Sequence, residues 1–122
     1  MEREIKFRGK RIGGGDWLFG SHYNDGGEDY ILPNSLASAW DYEDYQVDPN
    51  TIGQFVGLTD RNGKQIYEGD ILMQFSIPCE VQWCERMASF SLGVFAIEKC
   101  TLEKLEVVGN IYDNPELLKK KQ

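Results

Sequence analysis

The stretch TDRNGKQIYEGDIL, residues 59–72, holds the densest set of groups that could do chemistry: Asp60, Glu68 and Asp70, with Gly63 and Gly69 between them. Three readings fit such residues: a metal loop, an acid/base pair, or a turn between strands. A calcium loop of the EF-hand kind needs oxygen ligands at its first, third, fifth and twelfth positions and a glycine at its sixth. Counted from Asp60, the third is Asn62, but Lys64, Gln65 and Ile71 occupy the fifth, sixth and twelfth. A cation and an apolar side chain stand where ligands are required, so the calcium reading fails. Glu68 and Asp70 are two apart, so in an extended chain they point the same way. With His22, the single histidine, they form the one constellation open to a carboxylate-dependent hydrolase. The turn reading asks for less. Asn62-Gly63 tolerates the positive φ of a tight hairpin, Gly69 supplies a bend, and Asp70 bonds nearby backbone amides. On that reading Asn62, Gly63, Gly69 and Asp70 are structural turn residues, and the acids of the stretch are turn and surface groups.

Other catalytic templates are missing from the sequence. There is no G-x-S-x-G, Walker A or G-x-G-x-x-G pattern, and GGGDWLFG at residues 13–20 leads into no helix that could cradle phosphate. Cys79 and Cys84 have only Cys100 and His22 to complete a zinc set, which does not make a zinc knuckle. Cys79 reads as a small apolar core residue, and Cys84, on the opposite face of the same strand, as an exposed thiol. No catalytic, cofactor-binding or metal-binding residue is assigned, and no cofactor is expected.

The elements that would position these groups are short strands. Residues 4–8 alternate polar and apolar, with Ile5 and Phe7 inward. Gly13-Gly14-Gly15-Asp16 reads as a hairpin loop, after which Trp17, Phe19 and Tyr23 share a face. NDGGED at 24–29 is a second turn, and Tyr30-Ile31-Leu32 a short strand stopped by Pro33. Residues 35–48 are ambiguous between helical turns and extended chain. Further strands follow at 51–58, 71–75, 79–85 (Cys79, Val81 and Trp83 on one side), 90–94 and 105–111. Asn114-Pro115-Glu116 then starts a short helical turn, with Asn114 as its cap, Leu117 and Leu118 as its apolar contact, and Lys119, Lys120 and Lys121 at its end. Short strands at this spacing predict an all-β barrel or sandwich.

At 122 residues the chain is expected to be a single domain, 1–122. An N-terminal β extension and acidic loop would fill 1–50, and a core with the C-terminal turn 51–122. No run is long and apolar enough to span a bilayer, and the start has no signal-peptide pattern. Three cysteines with no secretion signal fit a reducing, cytoplasmic setting. The net charge of −7 is unevenly spread: residues 12–60 contain nine acids and no Lys or Arg. Like-charge repulsion works against direct binding of this half to a phosphate backbone, and a basic partner suits it. Lys6, Arg8, Lys10 and Arg11 form a small basic strand and turn, the one feature that favours a nucleic-acid role. The alternative form of that role is mimicry, in which the acidic face stands in for DNA on a DNA-binding protein. Trp40, Tyr42 and Tyr45 stand among Asp41, Glu43 and Asp44. Tyr and Trp in an acidic rim make a plausible protein-binding patch. Trp40, Tyr42, Glu43, Asp44 and Tyr45 are therefore the expected partner-binding residues, and exposed edge strands would also allow pairing between copies.

REIKFRGK at 3–10, DWLFG, YIL, VDPNTIGQFVGLTDRNGKQIYEGDIL, VQW and VVGNIYDNPELL together resemble the YopX family of phage and prophage proteins over nearly the whole chain. The resemblance implies a β-rich, SH3-like barrel core with extra strands, and a phage or prophage origin in a bacterial cytoplasm. It carries over no catalytic residue, cofactor or activity. The expected function is a non-enzymatic interaction module that binds a host or phage protein through the acidic, aromatic-rich first half.

Overall fold

A computed structural model describes residues 5–33, 43–74, 76–93, 95–97, 100 and 104–118. The fold is all-β: two five-stranded antiparallel sheets joined by short turns and 3-10 turns. The chain divides into two compact units, residues 1–55 and 56–122, whose boundary falls inside a strand.

In the first unit, β1 (Phe7–Lys10) pairs with β2 (Trp17–Asp25), and β2 with β3 (Glu28–Leu32). The β2–β3 register sets Asp25 opposite Glu28 and leaves only Gly26-Gly27 to turn the chain. Both glycines sit at positive φ, 63° and 89°, as a two-residue type I′ turn requires. Ile31 and Val47 are fully buried and form the inner face of this unit. The segment around Val47 ties β1 to β3: Val47 N–H donates to Asp29 O, Ile12 N–H to Gln46 O and Asp48 N–H to Lys10 O, each at 2.9 Å. A 3-10 turn at Pro49–Thr51 follows, capped by the Asp48 carboxylate, which accepts the Asn50 N–H at 3.0 Å. The start of β4 (Gly53–Thr59) then pairs with β1. Ile5 departs from expectation. It precedes the paired part of β1 and is 70% exposed, whereas Arg8 is buried beneath the Trp17 ring. Contact with an aromatic face lets a guanidinium give up water at reduced cost.

In the second unit, β4 is followed in the first sheet by β5 (Gln65–Tyr67), a strand too short to leave a periodic signal. The second sheet has the order β10-β6-β7-β8-β9, with β6 at Asp70–Gln74, β7 at Ile77–Cys84, β8 at Ser89–Leu92, β9 at Phe95–Ala96 and β10 at Glu106–Asn110. Val56, Ile66, Leu72, Val81, Phe90, Leu92, Ile97 and Leu105 form its core. Among the described residues the barrel does not close. β9 is only two residues long, and no ladder joins it to β10. Trp83 sits next to last on β7, outside that core, and is 48% exposed rather than inward. It meets Phe90 edge-on at 5.1 Å and 77°. At the C-terminus, Pro115–Leu118 makes the expected short turn, but the Asn114 side chain does not cap it. Asn114 Oδ1 accepts the N–H of Asn110 at 3.2 Å, and it is the Asn114 carbonyl that accepts from Leu117. Lys119, Lys120 and Lys121 lie outside the described residues. No helix among those described is long and apolar enough to cross a membrane.

The β7–β8 turn stores strain. Ala88 has φ 52°, a left-handed conformation that costs an L-residue about 1–2 kcal/mol. Replacing Ala88 by Gly relieves it, less the entropy glycine loses on folding. We expect Ala88→Gly to raise stability by roughly 0.5–1 kcal/mol in thermal or urea unfolding; a lower stability would contradict this.

Candidate interaction surface

Alternation along β2 puts Trp17, Phe19, Ser21, Tyr23 and Asp25 on one face. The register adds Arg8 and Lys10 from β1, and Tyr30 and Glu28 from β3, to that face. It carries cations at one end and carboxylates at the other. At the cationic end, the Arg8 guanidinium lies 4.6 Å from the Trp17 ring centroid and Lys10 Nζ 5.8 Å from it, while Lys6 Nζ is 5.5 Å from the Phe55 ring. Arg11 Nε pairs with Asp16 Oδ1 at 2.9 Å. The basic strand is thus engaged with its own rings and acid rather than presented as an open row of charges.

The acidic end has a different character. Asp25 faces Glu28 directly across the strands, a like-charge pair that works against the hairpin. Tyr23 is 42% exposed and meets Tyr30 at 6.2 Å between ring centroids. Burial pushes the Tyr30 hydroxyl up, and the fields of Glu28, Asp25 and Glu43 push it further the same way. Glu43 therefore lies within electrostatic reach of the hairpin. Gln46 closes the link: it bridges to Tyr30, and its amide donates to the Glu28 carboxylate. Behind this face, on the other side of the hairpin, Asp29 bonds His22 at 2.8 Å and Asn24 at 3.1 Å, which together hold its carboxyl below the usual range.

Of the expected patch, Glu43 and Asp44 are exposed and Tyr45 half-buried in a 3-10 turn at 43–45; Trp40 and Tyr42 fall outside the described residues. Tyr23, Asp25, Glu28 and Tyr30 were not read from sequence as part of it. The signal was there: a two-residue Gly-Gly turn forces Asp25 opposite Glu28 and Tyr23 opposite Tyr30.

The stretch at 59–72 resolves as structure. Asp60 is not a surface acid but 6% exposed. Its Oδ1 accepts the N–H of Asn62 and of Lys64, and its Oδ2 accepts the N–H of Val107, each at 2.9 Å. Burial pushes its carboxyl up, but the three amides and the Lys64 charge outweigh that and leave it below the ordinary value of 3.8. Gly63, at φ 83°, turns the chain beside Asn62 and donates to Asp60 O at 3.0 Å. Asp70, 1% exposed, turns its Oδ2 to the Tyr67 N–H at 2.8 Å. Gly69, at φ 93°, donates to Val81 O and accepts from Ile111 N–H, both at 2.9 Å. Asp70 is thus aimed at backbone and His22 at Asp29, so neither is directed at the other as a shared acid/base constellation would require. Cys84 is half-buried rather than an exposed thiol. Among the described residues no three His, Cys, Asp or Glu side chains gather as a metal set would.

Residues 6–119 match the sequence profile of the YopX protein family. No curated protein matches the chain. Among solved structures, the crystal structure of protein EF1440 from Enterococcus faecalis is similar, with a TM-score of 0.58 and 21% identity over 97% of this chain and 100% of that one. That likeness is one of fold. The chain belongs to the YopX family.

Proposed function

We propose that this YopX-family chain is a non-enzymatic interaction module, a phage or prophage accessory protein acting in the bacterial cytoplasm by binding a basic surface of a host or phage protein. The observation that carries the proposal is the acidic end of the β2–β3 hairpin. Asp25 and Glu28 oppose each other there beside the exposed Tyr23, with Glu43 near, in a segment that contains no Lys or Arg from residue 12 to 60. Like charges placed face to face work against the hairpin, and a cationic partner would relieve that repulsion. Glu43, Asp44 and Tyr45 extend the same surface in this proposal, which keeps Trp40 and Tyr42 as partner-binding residues on their sequence setting alone. We also hold the core of the second unit to be SH3-like: a small antiparallel sheet around one apolar cluster, open between β10 and β9. Direct nucleic-acid binding is disfavoured by the engagement of Lys6, Arg8, Lys10 and Arg11.

A single substitution separates function from stability. Glu28→Lys converts the repulsive pair with Asp25 into an attractive one, which offsets the loss of the Gln46 hydrogen bond, so unfolding stability is roughly maintained. Partner affinity falls, combined with Tyr23→Ala by roughly 30-fold, the effect of removing a contact worth about 2 kcal/mol. Unchanged affinity of the folded double variant would remove this surface from the proposal.

A further inference from the structure

Two of the three cysteines in the second unit pack against the same apolar cluster. Cys79 on β7 and Cys100, beyond β9, both pack against its core cluster from the partly exposed side. One side chain joins them: the Gln74 amide donates through Nε2 to Cys100 Sγ at 3.4 Å, and its Oε1 accepts from Cys79 Sγ at 4.0 Å. One amide group thus lies within contact distance of both sulfurs. We propose that Cys79 and Cys100 form a reversible disulfide when the protein meets a low-molecular-weight disulfide such as oxidised glutathione.

The exchange balances in two steps. The Cys79 thiolate attacks one sulfur of oxidised glutathione, forming a protein–glutathione disulfide and releasing glutathione thiolate. Cys100 then loses its proton and attacks Cys79 Sγ, forming the internal bond and expelling the second glutathione thiolate. Two protein thiols are oxidised and one small disulfide is reduced to two thiols. Burial pushes the Cys100 thiol up, partly offset by the Gln74 bond, with the neighbouring Cys79 raising it further. A raised thiol disfavours Cys100 as the first nucleophile, which leaves the first attack to Cys79. The bond would enclose β7 from Cys79 onward, β8 and β9 in one covalent loop and so restrict the unfolded chain.

The test treats the reduced full-length chain with oxidised glutathione under native conditions and maps peptides without reduction. The expected result is a Cys79–Cys100 linked peptide with Cys84 unlinked, the same link in Cys84→Ser, and a raised urea midpoint that dithiothreitol reverses. Cys100→Ser should instead retain glutathione on Cys79. Glutathione accumulating on the wild-type chain without the internal link, a link through Cys84, or no loss of thiols would each overturn the proposal.

Discussion

Replacing Asp60 by Ala is expected to destabilise the second unit by about 3 kcal/mol or more. The carboxylate receives three backbone N–H groups, two from its own turn at Asn62 and Lys64 and one from Val107 on β10. It thereby pins the 60–64 turn to a strand far along the chain. Without it these part-buried donors lose a charged acceptor; a hydrogen bond to a charged group contributes about 1.5–3 kcal/mol, and the link to Val107 is lost with them. Asp60→Asn keeps one acceptor oxygen and puts an amide donor in place of the other, so it should fall between wild type and Ala. The sign of the pH dependence follows from the lowered carboxyl. A depressed folded-state value means the charged form is favoured in the native protein. Its contribution is fully present above the unfolded value of about 3.9 and is lost as pH falls through the folded value. Urea unfolding at neutral pH and near pH 3 should show the gap between wild type and Asp60→Asn narrowing in acid. A gap that is absent at neutral pH, or that widens in acid, would contradict this role.

Gly20→Ala is expected to cost about 3 kcal/mol and to disable the hairpin. A Cβ at Gly20 would run into the Leu32 carbonyl, with Leu32 C only 2.7 Å and Pro33 Cα 3.0 Å away. These are backbone atoms and cannot turn aside as a flexible side chain would. Gly20 lies on β2 just before Ser21, whose register partner is Leu32. The strands must part for the methyl group to fit, and the Tyr23–Tyr30 and Asp25–Glu28 pairs lie further along the same ladder. Gly20→Ala should therefore lose both stability and partner binding, unlike Glu28→Lys, which should lose binding alone. Near-wild-type melting of Gly20→Ala would mean that the two strands are less closely held than described.

Sequence reasoning reached the strands whose apolar stretches are long enough to read. Residues 53–59, 70–74, 77–84, 89–92 and 106–110 all fall in apolar-rich stretches bounded by turn signals; only some of them alternate, and 70–74 is a continuous apolar run at Ile71-Leu72-Met73. The Gly26-Gly27 turn was legible because its residue types admit positive φ. The three-residue β5 was not, since so short a strand carries no period. Side-chain faces failed at strand ends: Ile5 and Trp83 obey the alternation but lie beyond the packed region, where parity no longer implies burial. The burial of Asp60 left no local trace, because its third hydrogen bond comes from Val107, 47 residues away. Barrel closure, which the described residues do not show, was beyond the sequence for a related reason. Strand count and spacing do not say whether the last edge finds the first. As for the interaction surface, composition pointed to the acidic first half, and only the register showed which acids and rings share a face.

The most direct test of the interaction reading is affinity capture of the tagged protein from bacterial lysate, with and without nuclease, alongside the Tyr23→Ala/Glu28→Lys variant, with captured proteins identified by mass spectrometry. The account predicts a protein, basic on its binding surface, that is retained after nuclease treatment and lost from the folded variant. If that protein is one that binds DNA, the acidic face acts by mimicry. Capture that disappears with nuclease, or that the variant retains in full, would contradict a protein-binding role for the acidic hairpin.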